Sequence, residues 1–531
     1  MIQKIQFGSV GGINLHFKLL TFLKRLILIF CVFALPHLTS ALELERIVRF
    51  GGQPSDSITA MVSDSRGNLY ITGSTRSFGL ATPGAFQGTP AGFGITGGDA
   101  YVAKLDGNTL NPIWVTYLGG SHSENGTFGS GGLAIGSGGV VIVAGTTSSE
   151  DFPVTPDAVQ RNANGVGEEL FISILSADGR RLLYSSYLGG SKSDLLNAFA
   201  RGSDGKLYLG GSTKSLDFPV STDAIQSTPP GGVRSGFFVR LSPDAKIVEY
   251  SSYIGGKGSD KVSSITVRSN KEIWIGGNTG SSNFPVTSDA FDRTFGGCET
   301  TACDIFLTRM DSTTNKVVYS TFFGGKGAET FDNAVLFGND TLYITGQTTS
   351  SDFPLTNWTV QPIDENPVSG DGFILKFDTI SHKIAYSTLL GGKRAGENVH
   401  GIIISHGGAI IVGATASKDF PVTSNAVQDE FVTGSIFNGS IAKVSPDGRT
   451  LTFGSYLGGE GFDELKLITK QKTLLPAFGS AVLFVAGETR STSIHSLDPG
   501  ALGRRDVFIS RWTDKAEQVV VPLVAPRGNA N

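Results

Sequence analysis

The chain has 531 residues, with 43 Lys and Arg against 47 Asp and Glu and a formal net charge of −4. That balance excludes the bulk electrostatic attraction on which nucleic-acid binding depends. With 71 glycines and 10% aromatic residues the composition is too apolar for disorder, and it reads as all-β with many turns.

The N-terminus carries a targeting pattern. Lys18, Lys24 and Arg25 precede an apolar run from Leu26 to Leu35, which ends at the small residues Thr39, Ser40 and Ala41. Basic flank, short apolar core and small residues describe a secretory signal over 1–41, cleaved after Ala41. An uncleaved anchor is the alternative, but ten uncharged apolar residues fall short of the ~20 a span needs. No later segment is long and apolar enough to cross a bilayer, so no transmembrane segment is expected after signal removal. The expected location is secreted or at the cell surface, with the periplasm as a variant.

Next comes "LERIVRFGG" (44–52), a strand-like run ending in a glycine pair. The pair recurs at 119, 189, 255, 324, 391 and 458, at intervals of 68, 70, 66, 69, 67 and 67 residues. A second motif, G-x-T-x-S, runs in phase: "GSTRS" (73–77), "GTTSS" (145–149), "GSTKS" (211–215), "GNTGS" (277–281), "GQTTS" (346–350), "GATAS" (413–417) and "GETRS" (487–491). A third follows it, as in "DFPVTPDAVQ" (151–160) and "DFPVSTDAIQ" (217–226), and is degraded in the first copy to "FGLATPGAFQ" (78–87) and in the seventh to "SIHSLDPGAL" (493–502).

Within the third repeat, "LNAFAR" (196–201), "LYLGGST" (207–213), "GFFVRL" (236–241) and "IVEYSSYI" (247–254) read as four strands, with hairpin signals at "SDGK" and "SPDAK". Four strands in each of seven repeats predicts an all-β, seven-bladed β-propeller over residues 42–515. "LERIVRF" matches the fourth strand of the other repeats, so the N-terminal strand is expected to close the last blade and remove an open edge. "QVVVPL" (518–523), in the tail 516–531, is the competing candidate.

The linked motifs resemble the SBBP β-propeller repeat family, over nearly all of 42–515. That resemblance implies a seven-bladed propeller of exported or surface bacterial proteins, and it brings no catalytic motif.

Strand alternation places the D-F-P connections and the glycine-pair crossings on one face and the tight hairpins on the other. An acidic residue follows each glycine pair: Asp56, Glu124, Asp194, Asp260, Glu329, Glu397 and Asp463. Sevenfold geometry would set them as a ring near the mouth of the channel. They are candidates for a cation or ligand ring. The preferred role is structural, each accepting backbone N–H groups or the hydroxyls of G-x-T-x-S. The D-F-P phenylalanine and proline are expected to plug the gap between blades.

Cys298 and Cys303, the pair left after signal removal, read as a disulfide across a small loop. The histidines, including His400 and His406, occupy no equivalent repeat positions and read as independent surface groups. No zinc signature, nucleophile elbow or P-loop is present, and neither cofactor nor metal is expected. The functional reading is an exported, monomeric, non-catalytic binding or scaffold protein. It would take an unidentified protein or glycan at the bacterial surface through its loop-rich face. The alternative is a carbohydrate-active lyase or glycosidase acting at the channel mouth.

Overall fold

The computed structural model describes residues 41–92, 98–124, 131–165, 167–268, 272–297, 304–357, 360, 370–392, 396–472 and 479–515. Among these residues, twenty-eight strands form seven four-stranded antiparallel sheets, with one short 3-10 turn at Ser137–Gly139. The fold is a seven-bladed β-propeller. The third blade is typical: Asp194–Arg201, Leu207–Thr213, Ser235–Leu241 and Val248–Ile254 pair in chain order. Its first strand starts two residues before the stretch read from sequence, because Asp194 itself pairs with Thr213.

The core lies between blades. Seven apolar clusters are present among the described residues, and each joins two successive blades. One of them joins Phe484 and Ile509 of the seventh blade to Ile71 and Tyr101 of the first, so the ring has no free end. The D-F-P phenylalanines seal these interfaces. Phe152, Phe218, Phe284 and Phe353 are buried and sit 4.4–4.7 Å, centroid to centroid, from Phe171, Phe237, Phe306 and Phe373. In the seventh copy Ile494 is buried in the same role, which is why the motif can lose its aromatic there.

The N-terminal strand, Ala41–Phe50, pairs antiparallel with Asp506–Lys515 and forms the outer edge of the last blade. The signal at 1–41, but for Ala41, lies outside the described residues. So do the tail 516–531 and both cysteines, Cys298 and Cys303. Among the described residues no helix is long and apolar enough to cross a membrane.

The inner strands carry a bulge at one repeated place, for example between Leu196 and Ala198 and between Phe331 and Asn333. Just before it, the inner-strand backbone presses on the glycine of G-x-T-x-S. A Cβ on Gly346 would overlap the Thr330 carbonyl oxygen, and one on Gly413 the Asn398 carbonyl oxygen. Backbone cannot yield as a flexible side chain can. Gly346→Ala is therefore expected to cost roughly 2–3 kcal/mol, the upper part of the overpacking range. Urea denaturation checks this, and a loss under ~0.5 kcal/mol would show that the bulge relaxes freely.

Candidate functional site

The repeated motifs meet at the glycine pair. The first glycine donates its N–H to the glutamine that ends the D-F-P motif: Gly189 to Gln160 at 3.1 Å, Gly255 to Gln226 at 2.9 Å and Gly458 to Gln428 at 3.0 Å. The second glycine donates to the repeated carboxylate. The distances are 2.8 Å from Gly52 to Asp56, 3.3 Å from Gly120 to Glu124, 2.8 Å from Gly190 to Asp194 and 2.8 Å from Gly256 to Asp260. They are 3.3 Å from Gly325 to Glu329, 3.1 Å from Gly392 to Glu397 and 2.7 Å from Gly459 to Asp463.

The hydroxyls of G-x-T-x-S complete the set. Thr279 and Ser281 donate to Asp260 at 2.6 and 2.9 Å, and Thr147 and Ser149 to Glu124 at 2.9 and 2.5 Å. Thr75 and Ser77 serve Asp56, Thr348 and Ser350 serve Glu329, Thr415 and Ser417 serve Glu397, and Thr489 and Ser491 serve Asp463. In the third blade Ser215 donates to Asp194 at 3.2 Å. All seven carboxylates are buried.

Asp194→Ala would strip the partner from the Gly190 N–H and the Ser215 hydroxyl, at a cost of roughly 1–3 kcal/mol. Asp260→Ala should match it, and added calcium should rescue neither. A calcium-dependent rise in melting temperature that either substitution abolishes would assign the ring to a cation instead.

Sequence reasoning missed a second acidic set, at the first residue of the third strands: Asp99, Glu169, Asp304, Asp371 and Asp506, with Ser235 and Asn438 in the remaining blades. These residues cap the long connection. Asp99 accepts the N–H groups of Ala91 and Gly92 at 2.7 and 2.9 Å, and Asp304 accepts that of Gly296 at 2.7 Å. The two sets meet across the first glycine, where a Cβ on Gly119 would strike both Glu124 and Asp99, and one on Gly324 both Asp304 and Glu329. Burial pushes Glu124 and Glu397 up to about 8 and Glu169 and Glu329 up to about 7, and repulsion within each pair adds to it.

Symmetry breaks in the channel. Inner strands of the fourth to seventh blades carry Lys261, Asp332, His400, Glu464 and Lys466, where the third blade has Leu195 and Asn197. His400 Nε2 lies 2.7 Å from Glu464, and Lys466 Nζ lies 2.8 Å from Glu488. The expectation of independent surface histidines is corrected here, since His400 is paired in the channel and His406 lies 2.9 Å from Asp514. Burial pushes Asp332 up to about 6 against the pull of His400 and Lys261, and its Oδ2 has no hydrogen-bond partner. Glu464 is held down to about 2, because His400 and Lys466 outweigh its burial. Among the described residues no three His, Cys, Asp or Glu side chains gather as a metal site would require.

No protein-family model matches the chain. The regulatory protein FlaEY of Caulobacter vibrioides is 30% identical over 251 residues, which cover 44% of this chain and 24% of that protein. The chain thus spans about a quarter of that relative's length. Among solved structures, the quinohemoprotein alcohol dehydrogenase of Comamonas testosteroni aligns with a TM-score of 0.42 at 11% identity, over 89% of this chain and 76% of that one. An ulvan lyase, described as a new family of polysaccharide lyase, aligns at 0.43 and 7% identity over 91% and 96%. Likenesses of this size say nothing about chemistry.

Proposed function

We propose that the chain is an exported, non-catalytic binding or scaffold protein of the SBBP repeat type, and that it engages a protein or glycan at the bacterial surface through the face carrying the long connections. The observation that carries this reading is what that face leaves exposed. Each repeated carboxylate accepts the N–H of its second glycine within the blade, although Glu124, Asp194 and Glu397 each keep one buried oxygen without a partner. Large apolar side chains on the long connections stand out to solvent: Leu216 is 70% exposed, Val233 73% and Ile436 69%. Exposed apolar groups over a rigid base suit docking. The test is a pull-down from surface extracts and a glycan panel with the full chain. Loss of capture in Leu216→Glu and Val233→Glu is expected, and capture unchanged in both would sink the reading.

One observation favours acid–base chemistry as a second reading. In the channel Asp332 keeps an unpartnered buried Oδ2 and a pKa raised to about 6 by burial, while His400 at 2.7 Å holds Glu464 charged, a contrast of the kind that assigns acid and base roles. Depolymerisation of an acidic polysaccharide that Asp332→Asn abolishes, with the melting temperature unchanged, would establish it.

A further inference from the structure

On the hairpin face, an open cleft of about 540 Å³ lies where the seventh, first and second blades meet. Its walls include Arg66, Tyr70 and Lys104 of the first blade, Gly138 and Ala177 of the second and Lys472 of the seventh. This volume is in the range of small-molecule sites.

The cleft exists because the first blade departs from the repeat. A cation stands at one place on the third strand of several blades, and there it bridges to a later blade. Arg240 donates to the Ser312 carbonyl at 3.0 Å, Lys376 to the Pro446 carbonyl at 3.0 Å and Lys443 to Asp514 at 2.7 Å. Lys104 holds the equivalent position. The carbonyl it would reach, that of Ala177, is taken instead by the indole N–H of Trp114 at 3.1 Å. Trp114 stands where the third blade has Tyr250 and the fifth Tyr386. Lys104 is left over the face of Tyr70, 5.2 Å from the ring centroid, at the wall of the cleft.

The opposite wall recedes for a local reason. The hairpin "GSGGV" (136–140) places Gly138, at φ +73°, where the third blade has Asp204, and nothing lies within 4 Å of where its Cβ would be. Charge then decides what fits. Three cations face one carboxylate, and that carboxylate is occupied. Asp64 accepts the N–H groups of Arg66 and Asn68, both at 2.9 Å, the Asn68 amide at 2.8 Å and the Tyr70 hydroxyl at 3.2 Å. An acid ligand would meet unspent ammonium and guanidinium groups, the donors that bind oxyanions best.

We propose that this cleft is an anion-binding site for a small ligand carrying a phosphate or carboxylate group, held by Lys104, Arg66 and Lys472. It lies opposite the long connections, so its test is independent of the docking reading. The full chain is titrated by calorimetry with inorganic phosphate, glucuronate and glucose at constant ionic strength. Saturable binding of an anion but not of glucose is expected, weakened roughly tenfold by Lys104→Gln and likewise by Lys472→Gln. Stronger phosphate binding assigns the site to phosphorylated ligands, and stronger glucuronate binding to acidic sugars. No saturable binding of either anion, equal binding of glucose, or anion binding unchanged in both variants overturns the proposal. Lys472 is exposed, so its variant reports even if Lys104→Gln disturbs folding.

Discussion

Arg49→Ala is expected to destabilise the propeller by roughly 3–5 kcal/mol, the cost of removing one partner from a buried ion pair. Arg49 sits on the closing strand. Its guanidinium donates to Asp498 Oδ1 at 2.9 Å and to Asp506 at 2.8 Å, and to the Ser491 carbonyl at 3.0 Å. The three charged side chains are at most 1% exposed. In four of the other blades a tyrosine fills this place and makes the same last bond, while the fourth and fifth blades have Phe322 and Leu389 there. The hydroxyls of Tyr117 and Tyr187 donate to Ser77 and Ser149 at 2.7 Å, and that of Tyr456 to Ser417 at 2.9 Å. The last blade has replaced a neutral clasp with a charged one, where the two ends of the chain must find each other. Arg49→Tyr should recover the bond to Ser491 yet leave Asp498 and Asp506 facing each other without a cation, so it should recover only part of the loss. Urea denaturation of both variants checks this. A loss below ~1 kcal/mol for Arg49→Ala would mean that strand pairing closes the ring unaided.

Repetition made the fold readable. Glycine pairs at a near-constant interval, with G-x-T-x-S and D-F-P in phase, fixed the blade number, and "LERIVRF" announced its place as a fourth strand. Even the partners of Asp260 could be named, because a carboxylate that recurs with Thr and Ser has few other reasons to recur. What repetition did not carry stayed hidden. The second acidic set is Asp in some blades, Glu in Glu169, Ser235 in the third and Asn438 in the sixth, so no single letter marks the column. It also opens strands such as "DVFISRW", where it reads as the end of a turn. The channel cluster is hidden as well. Asp332, His400 and Lys466 share one column of the repeat as three different residue types, so no letter in phase marks it. The partners of Arg49 lie more than 440 residues away, beyond any local pattern.

The paired carboxylates give the protein an unusual pH response: it should be most stable near pH 5 and weaken steadily toward pH 8.5. An acid whose folded pKa is raised holds its proton more tightly folded than unfolded. Its penalty is absent below the unfolded value near 4, grows as pH rises, and saturates above the folded value. Burial is the main cause for Glu124 and Glu397, at about 8, for Glu169 and Glu329, at about 7, and for Asp194 and Asp304, at about 6. The window of loss is therefore about pH 4 to 8. His400 acts in the same sense. Raised by Glu464 and Asp332 against its burial, it contributes stability below the unfolded value of 6.5 that is lost as pH climbs through the folded one. The opposing groups are Glu464, at about 2, and Asp498, also lowered, whose contribution is lost only as pH falls below about 4. All six raised carboxylates and His400 lose stability in the same direction, so the melting temperature should fall continuously between pH 5 and 8.5. Glu124→Gln isolates one pair. The amide keeps an acceptor for Gly120, Thr147 and Ser149, and its N–H₂ can donate toward Asp99 as a protonated carboxyl would. It should raise the melting temperature at pH 8.5, change it little at pH 5, and flatten the profile between them. A melting temperature that is level or rising from pH 5 to 8.5 would show that the paired carboxylates ionise without penalty, and that water or a cation reaches the first glycine.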